Sequence, residues 1–257
     1  MTRTPARVLV VSALCAGVLP TAAACTAGPA ASRQPAPAAS RAATTSPADA
    51  LSSRPLTRDQ AQAALLTPAD LGPSWTPTQG AATWRDGLLK ATAKAPDCRR
   101  LLDALYTDDL FGAGARVLAQ TGLDDALDGS QLRQQVRALA PSAVDRKLAW
   151  MRTLPRECAG FTAATAQGYM QDVKVVEAVL PEAGDARQGL RVTLSGQTDH
   201  GERSVLTLDV AVVRAGADTV VVTDGGLGDV SPDTTRTAVE TAVRRLTDVR
   251  KQGRAEI

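Results

Sequence analysis

The chain has 257 residues, enough for one large domain or two small ones, with 29 Lys and Arg against 27 Asp and Glu and a single histidine. This near-neutral, interspersed charge offers no basic face, so nucleic acid is not an expected partner. Aromatic residues are only 3% of the chain, and any core must be packed mainly from Leu, Val and Ala.

Arg3 and Arg7 precede a twelve-residue apolar run, Val8 to Leu19. As a helix it spans about 18 Å, short of a hydrocarbon core of roughly 30 Å, so residues 1–24 read as a signal peptide. The small cluster Thr21-Ala22-Ala23-Ala24 directly before Cys25 resembles the lipobox of bacterial lipoproteins, with Ala22 where such boxes usually carry Leu. That resemblance implies cleavage before Cys25 and acylation of its thiol, for instance with palmitate. The alternative is an ordinary A-x-A cleavage site that leaves Cys25 unmodified. Cysteine arithmetic favours acylation: Cys15 leaves with the signal, and Cys25, Cys98 and Cys158 are an odd number in an oxidising compartment. Acylating Cys25 leaves an even pair. Losing residues 1–24 also removes two arginines and no acid, so 27 basic residues face 27 acidic ones.

Residues 25–55, the lipidated cysteine and the segment that follows it, are dominated by Ala, Pro, Ser, Thr and Arg without an aromatic. They cannot bury enough apolar surface to offset ordering and read as a disordered linker. As a coil, the linker would hold a domain on the order of 30 Å from the membrane. The folded domain is expected over 56–251, with 252–257 as a tail. Thr57 and Gln60 have capping-box spacing, predicting a helix to about Leu66, and Thr67-Pro68 starts a short helical turn. Asp97 is expected to cap a helix whose Cys98, Leu101, Leu102 and Leu105 share one face. Residues 114–121 and 131–139 read as paired strands, with a helix as the alternative for the second. A helix from Ser142 carries Val144, Leu148, Met151 and Leu154 on one stripe, and Pro155 should end or bend it.

The C-terminal third changes period. Residues 172–180, 190–198, 204–214 and 219–224 are β-branched runs separated by turn residues, predicting an antiparallel meander. Leu206, Leu208, Val210 and Val212 alternate, turning one face to a core. A last helix opens at Ser231-Pro232 and carries Val239, Ala242, Val243, Leu246 and Val249 inward. Strands in a run with helices before and after predict an α+β fold, a twisted antiparallel β-sheet with flanking helices.

Chemistry-bearing residues are few. Cys98 and Cys158 are expected to form a disulfide, closing a loop worth about 4 kcal/mol in the chain-entropy model. Without ligand-spaced histidines they make no metal site, and none is expected. His200 sits at a predicted hairpin tip without a converging triad. Asp124 to Gly129 looks like a calcium loop but lacks the third-position acid, and Gln135 stands where a bidentate Glu belongs; it reads as a solvated turn. Gly225-Gly226-Leu227-Gly228 sits between strand and helix, but Ser231 stands where a third spaced Gly would be, so it reads as a flexible connection. Trp75, Trp84 and Trp150 read as core, with a pocket-lining role as the alternative. No catalytic residue or cofactor is predicted.

Leu66-Thr67-Pro68-Ala69-Asp70-Leu71-Gly72, Ala95-Pro96-Asp97-Cys98, Leu154-Pro155-Arg156-Glu157-Cys158 with Phe161, and the strand Asp209 to Gly216 resemble the extracellular sensor-type domains of actinobacterial envelope proteins, found in PknH-like receptor kinases and as free-standing lipoproteins. The resemblance spans roughly 60–250 and implies a twisted sheet with a cleft that takes a ligand. The expectation is a non-enzymatic ligand-binding or sensor-like domain, held by an N-terminal lipid on the extracytoplasmic face of the cell membrane. Its partner would be an envelope small molecule or protein, at ligand-binding residues the sequence does not name. The alternatives are a structural accessory subunit of an envelope complex and a hydrolase.

Overall fold

The computed structural model describes residues 54–112, 115–197 and 201–255. Cys15, Cys25 and His200 lie outside the described residues, as do the signal peptide and nearly all of the linker.

Thr57 opens the first helix, α1 (Arg58–Ala63), through a closed capping box: its hydroxyl accepts from the Gln60 N–H, and the Gln60 side chain accepts from the Thr57 N–H. The helix stops three residues before Leu66, because the tertiary structure offers its end other partners. The buried Gln134 side chain accepts from the Leu66 N–H at 2.6 Å and donates to the Ala64 carbonyl at 3.4 Å. The short helix α2 (Pro68–Leu71) follows, then strand β1 (Trp75–Pro77), a π-helical turn at Arg85–Leu89 and strand β2 (Ala91–Ala93). Helix α3 (Pro96–Tyr106) begins with Pro96 in its first turn and Ala95 as its cap residue. Asp97 is therefore not the cap; its carboxylate accepts a bond from the Trp150 indole instead.

Residues 131–139 resolve as strand. Strands β3 (Val117–Asp125) and β4 (Gln131–Ala138) form a hairpin, and β4 pairs on its other side with β9. Helix α4 (Pro141–Glu157) contains Pro155 and runs two residues past it. A proline there costs only the bond its absent N–H would make, and the Cys158 N–H closes the last turn on the Leu154 carbonyl at 2.7 Å. Strands β5 (Phe161–Thr165), β6 (Met170–Glu177), β7 (Ala186–Gln197), β8 (Arg203–Ala215) and β9 (Asp218–Leu227) lead to helix α5 (Pro232–Ala255). That last helix continues past residue 251.

The strands make one antiparallel sheet of order β1-β3-β4-β9-β8-β7-β6-β5-β2. Alternation sends Leu206, Leu208, Val210 and Val212 of the central β8 to the face covered by α3 and α4. The other face is a second core: Ala211 and Val213 of β8 pack with Val220, Val222, α1 and the inward stripe of α5. The fold is thus α+β with a core on each face of the sheet, although β6 turns Asp172, Lys174 and Val176 outward on the α5 side. No helix among the described residues is long and apolar enough to cross a membrane.

Gly225, Gly226 and Leu227 belong to β9, correcting their reading as a flexible connection. The reason is contact: a Cβ at Gly225 would come within 2.5 Å of Leu208 Cδ2 and 3.2 Å of the Trp84 ring. The glycine lets the leucine and the indole close over the strand.

Candidate functional site

Helices α3 and α4 cover one face of the sheet and are tied at one end by the Cys98–Cys158 disulfide. Trp150 Nε1 donates to Asp97 Oδ1 at 2.9 Å beside it. Further along, the two helices and the segment after α3 leave a cleft of about 480 Å³. Its walls are Arg100 of α3, Ala143, Arg146, Lys147 and Trp150 of α4, Phe111 and Ala115 of the connection, and Leu139 at the end of β4. Three cations and no acid line it.

The wall after α3 is built by an ion network. Asp108 is the one described non-glycine residue at positive φ, 53°, where a left-handed residue ends the helix. Its carboxylate accepts Arg85 at 2.9 Å and Arg133 at 3.0 Å, while its carbonyl accepts Gln135 Nε2 at 3.1 Å and Arg137 Nη2 at 3.3 Å. Asp109 pairs with Arg137 Nη1 at 3.2 Å, and the same nitrogen donates to the Ala115 carbonyl at 3.1 Å. Alternation along β4 puts Arg133, Gln135 and Arg137 on this face, so the strand docks the connection and sets Phe111 at the cleft.

Inside the cleft, Arg100 and Lys147 both stand over the Trp150 indole, 4.7 and 4.5 Å from its centre. Lys147 Nζ also lies 5.8 Å from the centre of the Phe111 ring. Lys147 is only 8% exposed. Burial, with the Arg100 charge beside it and Asp109 opposing, brings its amine down to about 8. These are attractions to ring faces, which hold a cation without cancelling its charge.

No family model matches the chain, and no curated protein matches it. It is similar to several solved chains. One of them is the crystal structure of the extracellular domain of PknH from Mycobacterium tuberculosis, at 19% identity over 77% of this chain and 99% of that one, with a TM-score of 0.46.

The tryptophans divide. Trp75 and Trp84 are buried, one in each core, and Trp150 lines the cleft. The Asp124 to Gly129 turn bonds within itself and its neighbours: Asp124 accepts from Gln131 Nε2, Asp125 from the Leu127 N–H and Asp128 from the Ser130 N–H. Arg100, Arg146 and Lys147 were not singled out from sequence. The available signal was the spacing of Lys147 and Trp150, three apart on α4 beside the apolar stripe. A second concavity, about 360 Å³, lies at the opposite end of the strands between Trp84, Tyr169 and Leu227, and its lining carries no charge.

Proposed function

We propose that the chain is an extracytoplasmic lipoprotein, anchored through Cys25, whose domain binds a ligand in the manner of a sensor and performs no catalysis. The observation that carries the binding reading is the α3–α4 cleft. Its volume lies in the range of small-molecule sites, and it joins an apolar wall to a few convergent polar groups. The anchor is supported by the small-residue cluster before Cys25 and by the odd cysteine count of the mature chain. Residues 25–55 would serve as the tether, and the Cys98–Cys158 bond suits an oxidising compartment.

Native mass spectrometry of the protein extracted from its own membrane tests both parts. The expected result is a diacylated or triacylated Cys25 and a co-purifying small molecule lost in cleft variants. An unmodified N-terminus would remove the anchor. Turnover of an envelope substrate abolished by one point mutation would replace binding with catalysis.

A further inference from the structure

Six of the cations on the α3 side of the sheet fall into two sets. Arg85, Arg133 and Arg137 each pair with Asp108 or Asp109. Arg100, Arg146 and Lys147 make no ion pair among the described residues, and these three line the cleft. Arg100 and Lys147 are held over the Trp150 ring, which carries no net charge. Two like charges are therefore kept together, one of them nearly buried, and the acids near them are engaged elsewhere: Asp97 by the Trp150 indole N–H and Asp109 by Arg137.

We propose that the α3–α4 cleft binds an organic anion, a phosphate or carboxylate carried on an apolar group. Arg100, Arg146 and Lys147 meet the charge, and Phe111, Leu139 and Ala143 meet the apolar part. The inference rests on the reading of this domain as ligand-binding and adds the class of ligand. A neutral sugar would leave the cation set uncompensated, whereas an anion neutralises it in a partly desolvated site where charge attraction is strong.

Binding is then coupled to a proton. The charged groups around Lys147 are Arg100 and Asp97 from α3, the latter on the Trp150 indole N–H, Asp109 from the connection after it, Arg137 from β4 over the same Phe111 ring, and Arg146 and Asp145 on its own helix. Asp145 is engaged by Arg214 at 3.3 Å, and Asp109 by Arg137. A bound anion favours the charged amine, so affinity falls as pH rises from 7 to 9 and Lys147 loses its proton.

The test is calorimetric titration of the full chain in a non-ionic detergent with phenyl phosphate, inorganic phosphate and benzyl alcohol. Phenyl phosphate is expected to bind at least tenfold tighter than either of the others, and about tenfold tighter at pH 7 than at pH 9. Lys147→Met and Arg146→Glu should each weaken it tenfold or more; Arg146 is exposed, so its replacement leaves the core packing in place. Competition by phosphatidylcholine vesicles containing phosphatidylglycerol, and not by phosphatidylcholine alone, would assign the anion to a lipid headgroup. The absence of competition would assign it to a soluble ester. Equal binding of phenyl phosphate and benzyl alcohol, unaffected by Arg146→Glu, would overturn the anion inference and leave ligand binding standing. No binding of any probe would overturn the inference too; the broader reading falls only if nothing co-purifies with the native protein either.

Discussion

Asp224 of β9 stands directly opposite Asp209 of β8, both fully buried, and among the described residues only Asp209 is paired with a cation. Asp209 accepts Arg191 Nε at 2.7 Å and Nη2 at 2.8 Å, and the Thr235 hydroxyl at 3.2 Å. The Asp224 oxygens have no hydrogen-bond partner among the described residues. Burial, then the negative charges of Asp209 and Asp128, push Asp224 up to about 8, with Thr235 opposing. Asp224 therefore keeps its proton at neutral pH, beside an Asp209 that is paired with Arg191.

This retained proton predicts a pH signature. The folded state keeps a proton on Asp224 that the unfolded chain releases near 4, so stability falls as pH rises from about 4 to about 8 and levels off above. The slope of this contribution is about 1.4 kcal/mol per pH unit. Asp224→Asn removes it while keeping the shape. Urea midpoints at pH 5 and pH 8 should show the variant gaining on the parent by several kcal/mol at the higher pH. Parallel pH profiles would refute the assignment.

Replacing Arg191 with Leu leaves Asp209 buried and unpaired. Stranding one partner of a buried pair costs about 3–5 kcal/mol, and denaturant unfolding should show that loss. Adding Asp209→Asn to Arg191→Leu should recover part of it. If the double variant is no better than the single one, the cost comes from the Val230 carbonyl that Arg191 also bonds.

The Cys98–Cys158 bond closes a separation of 60 residues and should contribute about 4 kcal/mol in the chain-entropy model. A Cys98→Ala/Cys158→Ala variant should therefore unfold at clearly lower denaturant. Phenyl phosphate affinity should fall as well, because the bond holds the helices that form the cleft walls. Unchanged affinity in a still-folded variant would show that the sheet alone sets the cleft.

Gln134→Leu is a nearly size-matched change in the second core, and hydrophobicity alone would call it favourable. It instead strips partners from the Leu66 N–H and the Ala64 carbonyl. Leaving such groups buried and unmet costs about 1–3 kcal/mol each, so destabilisation is expected in thermal or urea unfolding. A more stable variant would mean that the loop after α1 rearranges to meet them.

Much of the fold was legible because its signals are local. The capping box at Thr57, the apolar stripe Val144-Leu148-Met151-Leu154 and the alternation of Leu206 to Val212 each depend on residues a few positions apart. The short strands β1, β2 and β5 carry three to five residues and no strong period of their own. They exist because β3, β5 and β6 offer them backbone partners. Residues 131–139 had an ambiguous pattern, because β4 is polar on one face for a tertiary reason: Arg133, Gln135 and Arg137 are docking points for Asp108 and Asp109.

The cleft was less legible still. Trp150 could be named as a pocket candidate, but its two cations come from positions 100 and 147, and no spacing rule links them. By itself the sequence determined the class of the fold, most of its long helices and strands, and the cysteines available for a tether and a bridge, because composition and short-range periodicity encode these. Only the tertiary structure decided that both sheet faces are cores, and that Arg100 and Lys147 share one indole. It also showed that Asp224 faces Asp209 without a paired cation among the described residues. Those are contacts between distant segments, and burial and charge pairing exist only once the chain has closed around them.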